Sequence, residues 1–100
     1  MKLGILVNSD RHADDIVGIT KAAVSKGHEV SLFMMDTGVN LLGNASVTGL
    51  CKEKGASMSF CDHSAGKLEV SKDGIPSEVV CGSQFDNATM NAEVDKVIVL

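Results

Sequence analysis

The sequence predicts an α/β protein: a three-layer α/β/α arrangement around a five-stranded, mainly parallel sheet, with residues 1–100 forming a single domain. Three observations predict it. Short apolar segments alternate with segments of helical spacing from one end to the other, in the order β-α-β-α-β-α-β-α-β. One hundred residues is the size of one domain. No repeat, low-complexity tract or linker-like stretch divides the chain, and the only proline is Pro76.

Residues 2–8 are a short apolar run ending in Asn8, Ser9 and Asp10, as in a strand buried on both faces. A helix over 12–26 follows, with Asp10 as its expected cap and Ile16, Ile19, Ala23 and Val24 at helical spacing. Gly27 ends it, where a left-handed residue is wanted. Residues 29–35 form the second strand, broken by Asp36 to Gly38. A second helix spans 45–54, with Val47, Leu50 and Cys51 on one face and Gly55 closing it. Residues 56–61 alternate apolar with small polar groups, the period of a strand. A short helix begins after Cys61 and includes Ala65 and Leu68; Lys72-Asp73-Gly74 is a turn. Residues 78–81 form strand four, and a helix over 83–92 places Phe85, Ala88 and Ala92 on one face. Residues 96–100 are the last strand. Every crossover between parallel strands is expected to be right-handed.

Apolar residues make up 44% of the chain, yet it has three Phe and no Tyr or Trp, so Val, Ile, Leu, Met and Ala must build the core. That aromatic poverty, with a net charge of −4, argues against a nucleic-acid partner, which needs basic and base-stacking surfaces. The mild acidity itself reads as solubility. Leu3–Val7 is too short for a signal sequence, and no apolar run reaches membrane-spanning length. Three cysteines cannot all pair within one chain. Reduced thiols in a cytoplasm are therefore expected.

In an open parallel sheet, sites form beyond the carboxyl ends of the strands. Those ends carry Asn8 and Ser9, Asp36 and Thr37, Cys61 with Asp62 and His63, and Cys81 with Gly82. Cys61, at a strand end just before a helix, meets the positive end of that helix, which favours the nucleophilic thiolate. His63 can add positive charge or relay a proton, whereas the Asp62 carboxylate opposes a second negative charge. The competing reading of Cys61 is a small buried hydrophobe. Cys81 is either a second thiol, resolving a disulfide or receiving sulfur from Cys61, or a core residue. Cys51 completes an apolar helix stripe. Met34-Met35 reads as core strand, Asp14-Asp15 as favourable charge at a helix start, and His12 and His28 as surface residues. Cys61, His63 and Cys81 lack the paired spacing of a metal site, and no metal is expected. Neither a dinucleotide fingerprint nor a P-loop occurs, and Gly66-Lys67 lacks the flanking residues of one.

The order of these features resembles the DsrE/DsrF-like proteins, including the TusD type of sulfur-relay subunit, along nearly the whole chain. The carrying segments are Lys26-Gly27-His28-Glu29-Val30 leading into strand two, Asp36-Thr37-Gly38-Val39-Asn40 after it, Cys61 at the end of strand three, and the closing Glu93-Val94-Asp95-Lys96-Val97-Ile98-Val99-Leu100. The resemblance implies a persulfide carrier or sulfurtransferase. Cys61 would accept sulfane sulfur from a donor protein and pass it to an acceptor cysteine, with no organic cofactor. It also implies a homo-oligomer, a trimer or hexamer. Asp62-His63 is more polar than the residues usual after that cysteine, and the chain is short for the family. Two other functions are compatible with the residues: a non-catalytic oligomeric binding module lined by Cys61, and a redox pair of Cys61 and Cys81.

Overall fold

A computed structural model describes every residue from Met1 to Leu100. Its elements are β1 (Lys2–Val7), α1 (Ala13–Ser25), β2 (Glu29–Met34), a 3-10 helix (Asp36–Gly43), α2 (Ala45–Thr48) running on into a second 3-10 turn (Gly49–Lys52), β3 (Ala56–Cys61), α3 (Asp62–Lys67), β4 (Val79–Gly82), α4 (Gln84–Glu93) and β5 (Lys96–Val99). The five strands form one sheet in the order β4-β3-β2-β1-β5. Every pairing is parallel, so the sheet is wholly rather than mainly so.

That order dictates the layering. From β1 to β4 the chain steps in one direction across the sheet, so right-handed crossovers put α1, the 3-10 segments, α2 and α3 on one face. The last crossover runs back from β4 to β5, and the same handedness sends α4 to the opposite face. Packing agrees. The main core of 16 buried residues gathers Ile5, Val7, Leu32, Met34, Met58 and Phe60 from the sheet against Ile16, Val39, Val47, Leu50 and Ala65. The second face holds a small cluster of Phe33, Cys61 and Met90, flanked by Leu6, Met35 and Val94. Strand alternation divides the scarce aromatics: Phe33 faces α4, and Phe60 faces the main core. Gly4 allows α4 its close approach, because a Cβ there would stand 3.0 Å from Val94 Cγ2.

Five local expectations are corrected. Asp10 does not cap α1; His12 holds that place without a side-chain cap, and Asp10 accepts from Asn40 Nδ2 at 3.0 Å. The break at Asp36 to Gly38 opens a 3-10 helix, because Val39, Leu41 and Leu42 have core to bury beneath them. The helix predicted over 45–54 is α2 plus a 3-10 turn, begun by Asn44, whose Oδ1 accepts from the N–H groups of Ser46 and Val47. The face assigned to the core in α4 is inverted: Phe85, Ala88 and Ala92 are exposed, and Met90 is the buried residue. Leu68, read as part of α3, is its C-cap and is exposed.

No helix is long and apolar enough to cross a membrane.

Candidate functional site at the divergence of β3 and β4

Topology selects the site before side chains are considered. β3 and β4 are neighbours whose carboxyl-terminal connections leave toward opposite faces, β3 into α3 and β4 into α4. Such a divergence opens a crevice at the sheet edge, the preferred ligand position in open α/β sheets. At its root, Cys61 and Gly82 are direct Cα partners. An open depression of about 680 Å³ lies there, bordered by Met35, Asp36, Cys61, Ser64, Ser83 and Gln84 among others.

Cys61 is the last residue of β3 and the N-cap of α3, in extended conformation with φ −81° and ψ 113°. The residue is only 3% exposed, yet it borders the depression rather than being sealed in hydrocarbon. Burial of the sulfur is the largest single influence on the thiol and pushes its pKa up. Four donors together outweigh it: the Ser64 hydroxyl, the Ser64 N–H, the Gln84 amide and the His63 N–H. The balance holds the thiol below its ordinary value. The Cys61 side chain closes no regular cap bond, so the two backbone N–H groups act on it as dipoles at the start of α3. The favourable helix end expected at Cys61 is thus present, as specific N–H groups of a six-residue helix.

The other predicted residues are disposed differently. His63 is exposed beside the cavity, and its backbone N–H, not its imidazole, acts on the sulfur. Asp62 does not oppose the Cys61 thiolate. Its carboxylate is engaged by the Lys72 ammonium and by the Cys81 thiol, and these partners hold it below the usual carboxylate range, Lys72 foremost. Lys72 is raised in turn by Asp62. Cys81 is exposed, and its thiol is pushed up, first by desolvation and then by the Asp62 carboxylate. Cys81 is paired with Phe60 in the ladder, one step before the Cys61–Gly82 pair. Alternation therefore points Cys81 to the opposite side of the sheet from Cys61. A direct Cys61–Cys81 disulfide would require the backbone to move. No three ligating side chains gather here as a metal site. Cys51 is buried and raised by desolvation, as its apolar stripe implies.

Two participants escaped the sequence. Ser64 stands three residues after Cys61 and is 8% exposed. Its position in the first turn of α3 is a signal that could have been read. Gln84 starts α4, and nothing local in the sequence brings it to Cys61; only the pairing of β4 with β3 does.

No protein-family model matches the chain, and no curated protein sequence does. Solved structures do. The YchN protein of E. coli superposes with a TM-score of 0.72 at 11% identity, covering 99% of this chain and 97% of that one. MTH1491 of Methanobacterium thermoautotrophicum, a protein of unknown function, superposes with a TM-score of 0.73 at 14% identity, covering 99% and 98%. This is the DsrE/DsrF-like fold. At such identities the likeness is one of fold, covering nearly the full length of each chain. The DsrE/DsrF-like arrangement here sets one cysteine where its two neighbouring connections part, and the remaining two outside that crevice.

Proposed function

We propose that this chain is a sulfur-relay protein of the DsrE/DsrF-like family, of TusD type, carrying sulfane sulfur on Cys61. One observation supports the reading above others. Of the three thiols, Cys61 alone is held below its ordinary pKa, and it borders the open crevice between β3 and β4.

The chemistry is two displacements at sulfur. In loading, the Cys61 thiolate attacks the terminal sulfur of a donor persulfide. A new S–S bond forms to Cys61, the donor's S–S bond breaks, and the donor cysteine leaves as thiolate with the electron pair. In unloading, an acceptor thiolate attacks the terminal sulfur on Cys61. The Cys61–S bond breaks, and Cys61 leaves as thiolate while the acceptor becomes the persulfide. Sulfur oxidation states balance across each exchange, so no outside oxidant or organic cofactor enters. A thiolate stabilised in place is both available for attack and a good leaving group. His63, exposed beside the cavity, is the side chain available to carry the proton of the terminal sulfur. Cys81 has no part in a direct exchange with Cys61.

The partners are a donor and an acceptor protein, each presenting a cysteine, in a reducing cytoplasm. A homo-oligomer, trimer or hexamer, accompanies this reading. Support comes from the face that α4 leaves bare: Phe85 is 76% exposed and Val99 56%, with Ala88 and Ala92 on the same outward side of α4.

Mass spectrometry of the intact chain and its peptides after exposure to a persulfide donor tests the reading. One added sulfur is expected on the Cys61 peptide and none in Cys61→Ser. Equal loading of Cys61→Ser would end the proposal.

A further inference from the structure

The groups around Cys61 are more ordered than a cysteine in a crevice requires. Ser64 Oγ accepts the N–H of Asp36 at 3.1 Å. That bond occupies the oxygen from the side of β2 and leaves the hydroxyl hydrogen free to point elsewhere. Asp36 sits at φ +48°, in the left-handed region that non-glycine residues seldom adopt, so its N–H is aimed by an unusual backbone turn. Across the crevice, Gln84 Oε1 accepts from Asn87 Nδ2 at 3.1 Å, and Asn87 Oδ1 in turn accepts from Asn91 Nδ2 at 2.8 Å. This chain of amides along one side of α4 fixes which way the Gln84 amide faces. Its Nε2 donates to Met35 Sδ at 3.7 Å on the border of the crevice, a weak thioether acceptor.

Both side chains thus have their acceptor oxygens engaged, and each keeps a donor at the border of the depression that Cys61 also borders: the Ser64 hydroxyl, and a Gln84 amide met only by the Met35 thioether. They come from opposite faces of the sheet, α3 and α4, and flank one buried sulfur. We propose that Ser64 and Gln84 are positioning residues for Cys61, a two-sided donor cradle whose fitting occupant is an anionic sulfur. A neutral thiol or thioether accepts hydrogen bonds weakly, whereas a thiolate is a strong acceptor. The cradle deepens the sulfur-relay reading and takes its chemical purpose from it. Stabilising Cys61 as thiolate favours discharge of the carried sulfur, the step in which Cys61 is the leaving group.

The ionisable groups bordering the cavity are Asp36, Asp62 and His63. Asp62 is bound to Lys72 and Cys81, Asp86 of α4 is turned to the Ser83 N–H, and Lys67 shares a separate hollow with Ser64. None of these charges changes in the variants that test the cradle.

The test follows alkylation of Cys61 in the full-length chain across pH, resolved peptide by peptide, in wild type, Ser64→Ala, Gln84→Leu and Ser64→Thr. Ser64→Ala and Gln84→Leu are expected to move the Cys61 inflection to higher pH and to slow its capture near neutrality about three- to tenfold. Ser64→Thr, which keeps the hydroxyl, is expected to restore the wild-type profile. Gln84 is exposed, so its substitution reports on the cradle without depending on core packing. Unmoved profiles in both Ser64→Ala and Gln84→Leu would overturn the cradle, whatever the loading assay shows. A moved profile in a chain that takes up no sulfur would uphold the cradle and end the relay reading instead.

Discussion

Replacing Gly82 by alanine perturbs the seam between sheet and site at one methyl group. A Cβ at this position would run into the carboxylate of Asp86. That carboxylate accepts the Ser83 N–H at 2.8 Å, while Ser83 Oγ accepts from Phe85 N–H at 3.2 Å, in the capping box that starts α4. Gly82 is outside the left-handed region, so alanine brings no backbone strain and the whole penalty comes from displacing Asp86. Loss of a helix cap costs about 1–2 kcal/mol. In a domain of this size that lowers Tm by roughly 5–10 °C. The assay is urea or thermal unfolding of Gly82→Ala, Asp86→Ala and the double variant, read as a cycle. Once Asp86 is truncated, the methyl has nothing to displace, so Gly82→Ala should cost under about 0.5 kcal/mol in that background. Additive losses would refute the reasoning, because they would show that the glycine is required for something other than room for the cap.

Other expectations concern residues away from that seam. Thr20 is fully buried on α1 with its hydroxyl unpartnered, so Thr20→Val should stabilise the chain by about 1 kcal/mol in denaturant titration; a loss of stability would mean the hydroxyl is bonded. Asp62→Asn removes the carboxylate that raises Cys81, so Cys81 should be alkylated at lower pH while the profile of Cys61 stays in place. Asp62 is depressed by Lys72 in the folded chain, so its contribution to stability is present above the unfolded carboxylate pKa. It is lost as pH falls through the folded one, and Asp62→Asn should flatten the acid limb of stability measured by unfolding at stepped pH. Phe85→Ser should lower self-association in sedimentation without lowering Tm, since the ring contributes little to the monomer's core.

Much of the fold was legible because period and punctuation agree. Strand β3 matches its alternating segment residue for residue, and Gly27 and Gly55 both have the positive φ that a chain reversal requires. The face of α4 was not legible. Its strongest apolar stripe, Phe85-Ala88-Ala92, points to solvent, and Met90 alone is buried, because α4 is the single helix over its face of the sheet. Helical period finds a stripe but does not say whether the stripe meets the sheet or something beyond it. Cys61 was legible as a strand-end thiol before a helix. Its cradle was legible only by half: Ser64 lies in the first turn of the helix that Cys61 begins, whereas Gln84 reaches the site only through the β3–β4 pairing, and strand order is a property of the assembled sheet. The same pairing separates Cys81 from Cys61, a distinction that rests on one residue of register.

The most direct measurement is the alkylation rate of each cysteine in the folded chain as a function of pH, resolved by peptide mass spectrometry. Cys61 is expected to be captured with an inflection at lower pH than Cys51 or Cys81, despite being far less exposed than Cys81. Capture of Cys61 only under unfolding conditions, with Cys81 the sole reactive thiol of the native chain, would contradict the account.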